Sequence, residues 1–162
     1  MKTFKEFLDE SSLSRIKSKS DKGGMAALSA SRAGKSAKEN RARAKQLDKD
    51  IRGKGLGGAT KVTGSYMEKD KKTGEEKKVK ERSHVVSSGK MGKRKFKKTV
   101  KALGKKYGQD SVLTQTKKTG TLHRTRKGGL DKKGENVGKF QPQGKNPYGQ
   151  SQIKGKTFAY NK

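Results

Sequence analysis

The residues with a claim to chemistry are few. Two histidines, His84 and His123, stand in a chain of 162 residues that has no cysteine. Thiolate catalysis, disulfides and thiolate metal sites are therefore excluded. Glu81 lies three residues before His84, and Asp110 is a further carboxylate within reach of either histidine in a folded chain. Such a set could support metal-assisted hydrolysis, which needs two or more carboxylates around the ion. Asp and Glu number only 15, however, and several crowd the charged stretch 68–78. The sequence reading is that no residue is catalytic and that no metal or cofactor is held. His84 is expected to be an ordinary strand residue facing a neighbour.

Two glycine motifs are weaker still. Gly53-Lys54-Gly55-Leu56-Gly57-Gly58 spells G-x-G-x-x-G. The dinucleotide fingerprint needs a strand before it and a helix after it, and here the expected order is reversed. It reads as a helix stop and a turn. Gly155-Lys156-Thr157 has the look of a P-loop end, but Gln150 stands where the first glycine belongs. Too little chain follows Thr157 for a helix that could cradle phosphates.

Lysine is the dominant chemistry. Lys and Arg number 44, so the formal charge is 44 − 15 = +29. Leu, Ile, Val and Phe together number 24, about 15% of the chain. So little apolar material with so much charge suits a small core carrying disordered tails. Charge of this size calls for a polyanion, which could be nucleic acid, an anionic membrane or an acidic protein; nucleic acid is the default, since each cation set on a phosphate releases counterions, and double-stranded DNA is the expected partner. No apolar run could span a membrane. The N-terminus has no secretory core, because Lys2, Lys5, Glu6, Asp9 and Glu10 interrupt it.

The elements that would position these groups follow from periodicity. Residues 92–107 carry the clearest pattern. Phe96, Val100, Leu103 and Tyr107 fall on one helical face. Lys93, Arg94, Lys95, Lys97, Lys98, Lys101, Lys105 and Lys106 occupy the others, with no acid among them. As a merely solvated surface these cations would repel one another for no gain. They are the expected nucleic-acid-binding residues. Residues 36–53 predict a second helix, with Ser36 and Glu39 as a capping box and Ala44, Leu47 and Ile51 as its stripe. Strands are expected at 59–67 and 79–87 around the charged loop 68–78, at 110–116, and at 119–125 as a further partner.

This order predicts an α+β fold, a small antiparallel sheet with two helices on one face, flanked by disordered basic tails. The domain spans 36–125, residues 11–35 are a flexible linker, and 126–162 are a basic Gly/Gln-rich tail. Residues 1–10 form a short amphipathic peptide of net charge −1.

That peptide, Met1-Lys2-Thr3-Phe4-Lys5-Glu6-Phe7-Leu8-Asp9-Glu10, resembles the capsid-targeting peptide of internal head proteins of T-even-like tailed phages. The resemblance covers these ten residues only. It implies that Phe4, Phe7 and Leu8 dock on the phage prohead scaffold. It also implies that the prohead protease cuts after Glu10 and that the protein lies in the phage head, then in the host cytoplasm. The stretches GLGGATKVTGSY and KMGKRKFKKTVKALGKKYGQDSVL and the closing KTFAY resemble small phage proteins, a likeness that brings no activity. The resulting expectation is a non-enzymatic, sequence-non-specific DNA-associated phage protein packaged in the head and ejected with the genome. The alternatives are a phage effector bound to an acidic host protein, and a small metal-dependent nuclease using Glu81, His84 and Asp110.

Overall fold

The computed structural model describes residues 15–19, 22, 24–32, 34–70, 72–109, 111–116, 118–125, 134–142, 149–153 and 156–161. The order is β1 (Met25–Leu28), α1 (Ala37–Gly53), β2 (Gly57–Lys69), β3 (Glu76–Ser87), α2 (Lys93–Lys106), β4 (Ser111–Gln115), β5 (Gly120–Arg124), β6 (Glu135–Pro142), β7 (Gly149–Ile153) and β8 (Lys156–Asn161). The fold is α+β, as the sequence predicts. From β1 to β4 the chain runs β-α-β-β-α-β, a split arrangement in which β1 sits between β3 and β4.

Both helices start and stop for local reasons. Ser36 Oγ accepts from the Glu39 amide at 3.2 Å, and Glu39 Oε2 accepts from the Ser36 amide at 2.7 Å. This is the capping box, which satisfies donors the first turn leaves without partners. α2 opens on Gly92, which offers no side-chain cap. It stops where Gly108 takes a left-handed φ of 74°. Gly104 is buried inside α2, and a Cβ there would stand 2.2 Å from Val112 Cγ2. Only glycine lets the helix lie this close to β4.

The helices cover one face of the β4-β1-β3-β2 sheet. Leu47 and Ile51 of α1 meet Phe96, Val100, Leu103 and Tyr107 around α2 over Ala26, Leu28, Val86 and Val112. Each of the Leu, Ile, Val and Phe side chains among them, fully buried, stabilises the fold by about 1.5–3 kcal/mol. The other face is buried as well, through Met25, Val62, Val85 and Gln115.

Three strands lie where the sequence reading expects a tail. β6 pairs with β5, β7 with β2, and β8 with both β6 and β7. Among the described residues the strands close a ring in the order β1-β3-β2-β7-β8-β6-β5-β4. This segment, 134–161, is poor in apolar residues, and the pairing of its strands rests on backbone hydrogen bonds, which composition does not report. The expected linker 11–35 likewise contains β1 and a helical segment over 15–19. The docking peptide with Phe4, Phe7, Leu8 and Glu10 lies outside the described residues.

Candidate active site

Strand β3 presents different chemistry on its two faces, because side chains alternate along a strand. His84 and Val86 face the helices. Glu81 and Val85 have the opposite parity and face away. His84 is fully buried, and its Nε2 lies 3.1 Å from Asp48 Oδ1 of α1. Lys61 Nζ holds the same carboxylate at 3.1 Å, from the β2 position paired with His84. Burial pushes the His84 pKa down, and the Asp48 charge opposes that shift. Its Nδ1 has no hydrogen-bond partner among the described residues.

On the helix-free face Glu81 is half-buried. Desolvation pushes its carboxyl above the usual range, and the Ser29 hydroxyl pulls the other way. Ser29 is buried, and its Oγ also reaches the Arg82 carbonyl at 2.9 Å and accepts from the Ser31 amide at 3.2 Å. Gly64 of β2 is paired with Glu81, and Ser151 of β7 is paired with Gly64. A glycine in that position adds no side chain beside the carboxylate. Among the described residues no cation forms an ion pair with Glu81. A desolvated carboxylate in this position attracts a cation strongly and is also a better base than one in water.

The geometry breaks up the set that the nuclease alternative would use. Glu81 and His84 lie on opposite faces of β3, and Asp110 is outside the described residues. No cluster of three or more metal-ligating side chains occurs among the described residues. His123 sits apart on β5, its Nε2 2.7 Å from Thr114 Oγ1. Its pKa is pushed down to about 4 by burial, then by Lys97 and Lys101.

The cations of α2 are placed as the periodicity requires. Lys93, Arg94, Lys95, Lys97, Lys98, Lys105 and Lys106 are exposed, and Lys101 is intermediate. One detail was not legible on the helix itself. An acid reaches it from α1, where Asp50 Oδ2 accepts from Lys106 at 2.7 Å and from the Tyr107 hydroxyl at 2.6 Å. The Lys106 contact comes first among the causes that depress the Asp50 pKa. Ser29 and Asp48 went unnoticed in the sequence, since each acts through a strand partner distant along the chain.

The model of the S-Adenosylmethionine lyase family matches residues 26–161. The chain belongs to that family. The match runs from the second residue of β1 to the last of β8, so it takes in all eight described strands except Met25. A search of curated proteins finds no match. Membership in an enzyme family overturns the non-enzymatic, DNA-associated reading and its nuclease and effector alternatives. It equally removes DNA binding and internal head protein as descriptions of the chain. The error has a physical root: net charge describes the exterior, whereas the fold depends on how the strands pair. The family is phage-associated, which agrees with the likeness of the body to small phage proteins. No helix among the described residues is long and apolar enough to cross a membrane.

Proposed function

We propose that this protein cleaves a carbon–sulfur bond of S-adenosylmethionine without adding water, on the helix-free face of its sheet, with Glu81 as the carboxylate that holds the sulfonium. The observation that carries this reading is the family match over residues 26–161. In such a cleavage the C–S electron pair stays with sulfur, which becomes a neutral thioether. The other fragment completes its valence internally, which is what makes the reaction a lyase reaction. Glu81 supplies the counter-charge that draws a sulfonium out of water, and its β2 neighbour Gly64 adds no side chain next to it. Ser29 keeps the carboxyl from drifting further toward its neutral form.

The test is direct. Purified protein is incubated with S-adenosylmethionine in oxygen-18 water, and the products are read by mass spectrometry. A thioether and a second fragment without the heavy oxygen are expected. Glu81→Gln should lower turnover by roughly a hundredfold or more, the scale seen when one preorganised electrostatic group is removed. Asp48→Asn, on the other face of the sheet, should leave turnover within a few-fold. Labelled product, or full activity of the Glu81→Gln variant, would overturn the assignment.

A further inference from the structure

Ser29 stands where β1 leaves the ladder, since the pairing of β1 with β3 ends at Leu28 and His84. It is 2% exposed, and its hydroxyl lies between two neighbours on β3. A hydroxyl has one hydrogen and two lone pairs. One lone pair accepts from the Ser31 amide at 3.2 Å, which fixes the oxygen. The hydrogen goes to the Arg82 carbonyl at 2.9 Å. The carboxyl of Glu81, the residue before Arg82, interacts with the same hydroxyl. Two acceptors therefore compete for one hydrogen.

Their competition depends on the charge of Glu81. A neutral carboxyl brings its own hydrogen and donates it into the second lone pair of Ser29, which stays on the Arg82 carbonyl. Ser29, Glu81 and that carbonyl are then each paired. An ionised carboxylate only accepts, and it is a stronger acceptor than a carbonyl. We propose that Ser29 is the positioning residue of Glu81, and that its hydroxyl hydrogen passes from the Arg82 carbonyl to the Glu81 carboxylate when a cation binds there. The proposal deepens the lyase reading and rests on it for the identity of the cation; the exchange itself follows from the hydrogen count. A cation beside the carboxylate favours its ionised form, so the ligand itself drives the exchange that aims Glu81. Burial raises the Glu81 pKa, and Ser29 lowers it. On β1, β2 and β3 the other titratable residues of this face by register are Tyr66, two places from Gly64, and the pair Glu68 and Lys77 beyond it. Lys19 reaches the face at the Val85 carbonyl.

Removing the hydroxyl leaves burial unopposed, so Glu81 holds its proton to higher pH and the proton competes longer with a cationic ligand. In Ser29→Ala the KM for S-adenosylmethionine should exceed that of the wild type by about tenfold or more on the acid side of the Glu81 titration, the scale of one hydrogen bond to a charged group. The two KM values should converge as pH rises, whereas a merely structural role would separate them at every pH. Carbon-13 NMR of the full chain reads the exchange directly. In the wild type the Arg82 carbonyl carbon should titrate with the midpoint of the Glu81 carboxyl carbon. In Ser29→Ala that carbonyl should no longer respond, and the Glu81 midpoint should rise. Ser29→Cys, close in size and a weak donor, should fall between the two and replaces Ser29→Ala if that variant does not fold. An Arg82 carbonyl that stays constant in the wild type, or that titrates equally without the hydroxyl, overturns the exchange, and so does a KM ratio independent of pH. Should the wild type show no turnover, the lyase reading fails by itself and the NMR titration alone judges Ser29.

Discussion

Glu81 and His84 are three residues apart and never meet. That spacing would place them together on a helix, whereas on a strand it sends them to opposite faces. The sequence named both residues, and their face assignment required knowing what packs on which side. Two paired predictions follow at this scale. Turnover should depend on Glu81 and tolerate Asp48→Asn, as argued above. Stability should carry the mark of His123. Its pKa in the fold is depressed to about 4 from 6.5, mainly by burial. Between those values the unfolded chain binds the proton and the folded chain does not. Stability therefore rises with pH through that window and, for this group, is complete above it. Thermal unfolding measured from pH 4 to 7 should show a steeper loss on acidification for the wild type than for His123→Gln. Parallel profiles would mean that His123 titrates normally in the folded protein.

The helices were legible as elements because each states itself locally. Ser36 and Glu39 form the predicted box, and Phe96, Val100, Leu103 and Tyr107 are buried as their spacing requires. Phe96→Ala should cost about 3–5 kcal/mol, the range for large aromatic truncations in a core, read by chemical denaturation. The start of α2 is the opposite of optimised. Lys93, Arg94 and Lys95 crowd the positive end of the helix dipole, and Gly92 provides no side-chain cap. Lys95→Glu should raise stability by about 0.3–1 kcal/mol, since an acid is favoured in the first turn. A loss of stability in that variant would show that Lys95 makes a contact more valuable than the dipole penalty. The strands β6–β8 were not legible for the converse reason. Their residues, among them Gly138, Lys139, Gln141, Gln150 and Gln152, have weak strand preferences, and their partners lie far away on β2 and β5.

At the scale of the molecule, the composition that suggested disorder coexists with a closed strand ring. Backbone pairing supplies what apolar area does not, and closure removes the edges of the sheet. The charge of +29 remains a burden on that ring. Seven of the eight cations of α2 are exposed, and Asp50 is the acid that answers them from α1. Self-repulsion among such charges destabilises the compact state relative to an expanded one. At about 10 mM salt the screening length is about 30 Å, long enough for most of these charges to interact; at about 150 mM it is about 8 Å. Raising sodium chloride across that range should therefore raise the unfolding temperature, by about 2–4 °C for each kcal/mol of repulsion relieved. The triple variant Lys97→Glu, Lys101→Glu, Lys105→Glu lowers the net charge by six, from +29 to +23. Its unfolding temperature should respond less to salt than that of the wild type. If the two respond equally, or if salt lowers both, charge repulsion is not what limits this fold, and its reserve must be sought in the ring closure instead.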